Sequence, residues 1–185
     1  MRRPRAAAIA ALAGLAALSA VALGARDGGG PVRSEDALTA RDLTGIPAPD
    51  RKIVIASQRW LALTRAPVAS LRSLSFAHPG TKSIRVNRTR AQLTGPNGRQ
   101  RFPYPRRTVV VKTAVNSGTV TLVAIMRRVT TGRDAAAWRY VEYKRGSGGG
   151  TFSKVGGGQS LCSSCHLEAT EVQGSDAVFT RLAPR

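Results

Sequence analysis

Between Arg107 and Arg145 the chain carries three runs of β-branched, apolar and aromatic residues joined by short turns, and this stretch limits the fold more than any other. Arg107 to Val115 is long enough to cross a sheet and ends on the turn residues Asn116, Ser117 and Gly118. Thr119 to Thr130 follows, apolar on both faces from Val120 to Met126, and is expected to be central and buried. Ala136 to Arg145 places Trp138 and Tyr140 on one face and Val141 and Tyr143 on the other. Three strands in sequence with short connections imply an antiparallel meander and exclude a helical bundle.

Upstream, Ile55, Trp60, Leu61, Leu63 and Leu71 recur at passable helical spacing between Arg51 and Leu74, a helix expected to break or bend at Pro67 with Trp60 as a core anchor. Phe76 to Gly80 reads as a turn, Ser83 to Asn87 as a short strand, and Arg88 to Gln100 as a polar connection. The fold class is therefore α+β, mainly antiparallel sheet with a few helices. Two glycine-rich runs, at Gly146 to Gly150 and Gly156 to Gly158, lead into a C-terminal segment of different character.

That segment contains Cys162-Ser163-Ser164-Cys165-His166, which holds the only two cysteines of the chain. Two thiols at this spacing can each form a thioether with a haem vinyl group, and the adjacent imidazole can ligate the iron. A thioredoxin-like pair would need a βαβ setting, and a structural zinc normally needs four ligands, for which the chain offers Cys162, Cys165, His166 and the distant His78 with no second paired half-site. The expected cofactor is one covalent haem c, held by Cys162, Cys165 and His166, with His166 as the metal ligand.

The N-terminus agrees with this. Met1 to Arg5 is basic and Ala6 to Gly24 is an unbroken run of small and apolar residues, the layout of a signal peptide over residues 1–25, cleaved near Ala22 to Ala25. An uncleaved anchor is the alternative, as about 20 such residues span a bilayer. An exported, periplasmic or extracytoplasmic location suits covalent haem. Residues 26–50, rich in Gly, Pro, Ser and Asp, read as a linker or flexible arm, leaving 51–185 as a single haem domain.

Removal of residues 1–24 takes three arginines and no acid, leaving 26 basic residues against 10 acidic and a net charge of +16. Such a charge favours anionic partners and surfaces. Nucleic acid is not expected among them, because the arginines are scattered and no binding motif is present.

Three other residues could carry chemistry. His78, before Pro79-Gly80, reads as an exposed loop residue or, less simply, a distal iron ligand; Met126, in a strand-like run, reads as core. Lys112 shares a strand face with Val110 and Ala114. Either that face lies at a sheet edge and the ammonium reaches water, or the lysine is buried, sheds its proton and becomes a nucleophile.

The run from Cys162 to His166, continued by Asp176-Ala177-Val178-Phe179-Thr180-Arg181 and Pro184, resembles the end of the cytochrome P-460 family. Thr108 to Lys112, preceded by Phe102 and Pro103, and Trp138-Arg139-Tyr140 resemble that family's strands, and the likeness extends from about Asp50 to Arg185. It implies a mostly antiparallel β fold, often a homodimer, with His166 as proximal ligand and an open distal position. The family's enzymes link a lysine to the porphyrin, a position Lys112 matches, and oxidise hydroxylamine. The related cytochromes c′-beta lack that link and bind nitric oxide or carbon monoxide in an apolar pocket.

One departure bears on catalysis. The enzymes use a distal carboxylate, yet Met126 to Thr130 contains no acid, and the nearest ones, Asp134 in a turn and Glu142 on a strand, are expected at the surface. Three functions follow: a haem oxidoreductase acting on hydroxylamine or a related nitrogen species, passing electrons to a redox partner; a gas-binding haem protein; or an electron carrier with a sixth ligand from Met126 or His78.

Overall fold

The computed structural model describes residues 37–67, 78–132, 134–156, 158–173, 176–178 and 180–183, all within the unit Glu35–Arg185. The signal segment, and the expected helical positions beyond 67, lie outside these residues. Among them, no helix is long and apolar enough to cross a membrane.

The described residues form a six-stranded antiparallel sheet in strict sequence order: β1 (Leu61–Ala62), β2 (Thr81–Val86), β3 (Val109–Asn116), β4 (Thr119–Arg128), β5 (Trp138–Gly146) and β6 (Gly149–Lys154). Helices α1 (Ala48–Ser57), α2 (Arg90–Leu93) and α3 (Gly158–Gln173) complete an α+β fold. The β3–β4 hairpin closes at Asn116 opposite Thr119, with Ser117 and Gly118 at φ 50° and 76°. Two left-handed residues in a two-residue loop match the twist of the strands they join. As its composition predicts, β4 lies between β3 and β5 and buries Leu122, Val123, Ile125 and Met126.

Alternation along the strands builds two cores. Val86, Val110, Met126, Trp138 and Tyr140 face one way, joined by Leu93 of α2 and by Ala177 and Val178 near the C-terminus. Val111, Val123, Ile125, Tyr143 and Phe152 face the other, joined by Leu43, Ile46 and Val54.

Three expectations are corrected. The supposed linker ends inside the protein: Leu43 is fully buried and Ile46 nearly so, and the Thr44 carbonyl accepts a 2.8 Å bond from the Phe152 amide of β6. Gly45, at φ 93°, lies so close to β6 that an added Cβ would sit 2.2 Å from the Phe152 carbonyl oxygen. The arm thus covers an edge strand that would otherwise present unpaired backbone.

Helix α1 begins before Arg51 and ends at Ser57, ten residues short of Pro67. Pro49 is tolerated in its first turn, where amides have no intrahelical acceptor. The following amides bond three residues back, and Leu61–Ala62 then joins β2, its Cα positions opposite Val86 and Arg85. Trp60 is half-buried against the second core, outside the helix. The polar stretch after Arg88 contains α2, started by a capping box in which Thr89 and Gln92 satisfy each other's amides.

Candidate functional site

Helix α3 carries the Cys/His motif. Residues three and four apart share a helix face, so Cys162, Cys165 and His166 project together. The helix is pinned to β5 by Gln159, whose amide donates to the Trp138 carbonyl at 2.7 Å and accepts from the Tyr140 amide at 3.1 Å. The His166 and Tyr140 rings lie 4.9 Å apart between centroids.

His166 is oriented from behind. Its Nδ1 lies 2.6 Å from the Ala177 carbonyl oxygen, which can only accept, so Nδ1 carries the proton and the neutral ring has its lone pair on Nε2. Burial pushes the imidazole down to about 4, against the pull of that hydrogen bond. Ala177 is fully buried in the left-handed conformation, φ 54°, which is strained for an alanine and is over-determined by its neighbour. Asp176 is buried, accepting from the Tyr104 amide at 2.7 Å, from Trp138 Nε1 at 3.4 Å and from the Arg128 guanidinium. Arg128, itself buried, also donates to the Gly132 carbonyl and lies over the Trp138 ring. The chain from Arg128 through Asp176 to Ala177 therefore sets the imidazole, the kind of support a metal-ligating histidine receives.

Between α3 and the sheet lies a cavity of about 650 Å³, lined by Cys162, Cys165, His166, Tyr140, Val110, Ile84, Met126 and Val178. Its size and apolar character are those of a cofactor site. Among the polar residues that line it are Lys112, Glu142 and His78.

The sheet register explains their meeting. Ile84, Lys112, Ala124 and Glu142 are successive Cα partners across β2, β3, β4 and β5, and so form one row on one face. Lys112 and Glu142 stand two strands apart, roughly 10 Å between backbones, with only a methyl group between them. His78 bridges that space: its Nδ1 is 2.7 Å from Lys112 Nζ and its Nε2 is 2.7 Å from Glu142 Oε2. On the other side of the carboxylate, Lys144 Nζ lies 3.0 Å from Glu142 Oε1 and is 42% exposed.

Lys112, His78 and Glu142 are all shifted. Burial pulls Lys112 down to about 8, opposed by the charge of Glu142 and helped by Lys82. Burial also lowers His78, as does Lys112, although the Glu142 hydrogen bond opposes it. Burial would raise Glu142, but the bonds and charges of His78 and Lys144 outweigh it and hold the carboxyl below its ordinary value. An ionised carboxylate only accepts, so His78 Nε2 carries the ring proton and Nδ1 accepts from Lys112. Burial pushes the Cys162 thiol up, which suits a packed thiol and not a reactive thiolate.

Lys112 therefore lies on an interior strand facing a cavity, not at a sheet edge. His78, expected as an exposed loop residue, is 20% exposed and joined to two cavity residues. Glu142, expected at the surface, is only 9% exposed. Alternation gave its signal, since Glu142 follows Trp138 and Tyr140 on one face; His78 had none, because a loop side chain leaves no periodic trace. Asp134 is exposed and caps the short 3-10 turn at Ala135–Ala137, and Met126 packs in the core while its edge reaches the cavity. Among the described residues, no group of three or more His, Cys, Asp and Glu side chains is close enough to hold a metal ion alone. No family model and no curated protein matches the chain.

Proposed function

We propose that this is an exported mono-haem protein of the cytochrome P-460 kind, with one haem c attached through Cys162 and Cys165 and ligated by His166, and that it oxidises hydroxylamine or a related small nitrogen species. One observation supports this above all: both thiols, the oriented imidazole and a lysine–histidine–glutamate set line the same apolar cavity. The residues present fit haem, with two thiols on one helix face and a neutral imidazole whose lone pair is on Nε2. Bound there, the haem would supply the redox chemistry, and the protein its binding, orientation and electrostatics.

The chain's own residues would do the rest. Ile84, Val110 and Met126 keep the cavity apolar, while Glu142, held by His78, offers a carboxylate to substrate protons. That carboxylate supports turnover over gas binding alone, because oxidising a protonated nitrogen species requires a proton acceptor. A sixth iron ligand is less supported: His78 is engaged on both nitrogens and Met126 is packed in the core. Arginine-rich charge suits an acidic redox partner receiving the electrons.

The test is purification from a host that exports and attaches c-type haem, followed by the absorption spectrum, the mass of the peptide spanning Cys162–His166, and hydroxylamine turnover with an electron acceptor. The expected outcome is a haem-bearing peptide, lost in the Cys162→Ala, Cys165→Ala double variant, and measurable turnover. A chain that never acquires haem overturns the proposal. Nitric oxide or carbon monoxide binding without turnover replaces the oxidase with the gas-binding function.

A further inference from the structure

We infer that His78 and Glu142 form a base and its supporting carboxylate for Lys112, making Lys112 a nucleophilic amine poised to attack carbon electrophiles of the aldehyde class that enter the cavity. It concerns the cavity before haem attachment, because haem held by Cys162 and Cys165 would occupy the same space.

The geometry is a continuous line of hydrogen bonds from the cavity to solvent. Lys112 Nζ meets His78 Nδ1 at 2.7 Å, His78 Nε2 meets Glu142 Oε2 at 2.7 Å, and Glu142 Oε1 meets the partly exposed Lys144 ammonium at 3.0 Å. A base whose far nitrogen is held by a carboxylate is the arrangement that activates nucleophiles in general. Here the proton moves from Lys112 Nζ to His78 Nδ1, the imidazolium is balanced by Glu142, and the amine keeps its lone pair. Lys144, 42% exposed, gives that line its exit to water.

The other ionisable groups near Lys112 sharpen the case. Lys82 on β2 disfavours the Lys112 ammonium and Lys144 on β5 disfavours a charged His78, whereas Glu142 favours the charged form of both. Cys162 and Cys165 on α3 would favour the ammonium only as thiolates, and the Cys162 thiol is pushed up. His166 is neutral near pH 7. Apolar Ile84 and Val110 flank the amine along β2 and β3, so small apolar carbonyl compounds are the substrates that fit.

The chemical step balances without an added redox partner. The Nζ lone pair adds to the carbonyl carbon, the C=O π pair moves to oxygen, and that oxygen takes the proton held on His78. Loss of water gives a protonated imine on Lys112. Cyanoborohydride, when supplied, delivers a hydride to the imine carbon and leaves a stable secondary amine for detection.

The experiment treats the full chain, before and after haem attachment, with propanal and cyanoborohydride and compares alkylation of Lys112 with that of the exposed Lys154 by peptide mass spectrometry. In the haem-free wild type at pH 8, Lys112 is expected to react at least tenfold faster than Lys154. His78→Ala should lower that ratio about tenfold. Glu142→Gln separates the base from simple electrostatics, because the two give opposite signs. Removing a negative charge alone would release the Lys112 proton and raise labelling at pH 7; removing the support for the imidazolium lowers it. A wild-type ratio of one or less, which an unfolded chain would also give, overturns the inference, as does a raised or unchanged ratio in Glu142→Gln. Haem content, read from the same samples, reports separately on haem attachment.

Discussion

The two faces of the sheet are made from alternate residues of the same strands, yet one is closed and the other open. On the α1 face, Val111, Val123 and Ile125 pack against Leu43, Ile46, Val54 and Phe152. There Asp50 takes the Arg127 guanidinium and accepts from the Tyr143 hydroxyl at 2.6 Å. On the α3 face, the row through Lys112 and Glu142 places charge where the other face places branched carbon. Burying charge is generally worse for stability than burying hydrocarbon of equal volume. A sheet that closes one face well can carry a costly arrangement on the other.

The largest expected effect lies in the support behind His166. Asp176→Ala leaves the Arg128 guanidinium buried without its counter-charge, and should cost about 3–5 kcal/mol in a denaturant titration with unchanged slope. A loss under ~1 kcal/mol would mean that the C-terminal segment does not depend on this pair.

Next comes the contrast of the faces themselves. Ile125→Ala, on the closed face, should cost about 2–5 kcal/mol. Lys112→Met, on the open face, should leave stability unchanged or raise it, because a buried charge is exchanged for packing. Equal losses in the two variants would erase the distinction.

The third effect is pH-dependent and its sign follows from Lys112. The folded chain holds that proton with a value of about 8, against 10.5 for an ordinary lysine. Below pH 8 both states are protonated and the penalty of burial is constant. Between about 8 and 10 the unfolded chain binds more protons, so stability rises with pH. Relative to Lys112→Met, the wild type should gain ~2 kcal/mol by pH 10, measured from urea midpoints at each pH. A flat difference would show that Lys112 titrates normally in the fold.

The smallest effect belongs to the α1 face. Asp50→Asn keeps a partner for Tyr143 but loses the ion pair with the partly exposed Arg127, and about 1 kcal/mol is expected in thermal unfolding. A loss as large as that of Ile125→Ala would make this polar group part of the seal.

Strands β3, β4 and β5 were legible because β-branched runs and the Asn116–Gly118 turn need no tertiary context. Cys162, Cys165 and His166 could be read as one helix face once α3 was known, since spacing alone brings them together. Strand β6 was hidden by its glycines: Gly149 and Gly150 weaken any strand pattern, and only Phe152 anchors it in the core. The segment ending at Ile46 was hidden for another reason. Its composition correctly denies it regular structure, but composition does not say what an irregular segment lies against, and Leu43 and Ile46 lie in the second core. Glu142 was misplaced by its charge, which outweighed the alternation that put it beside Tyr140.

Ala124 sits between Lys112 and Glu142, and its methyl group leaves the space that His78 occupies. The site is therefore specified by width as much as by chemistry. A valine or leucine there would preserve the strand, its hydrogen bonds and its apolar character, yet crowd the imidazole away from both neighbours. Grafting this set onto another antiparallel sheet would need three adjacent strands, a small spacer on the middle one, and a loop able to lower a histidine into the gap.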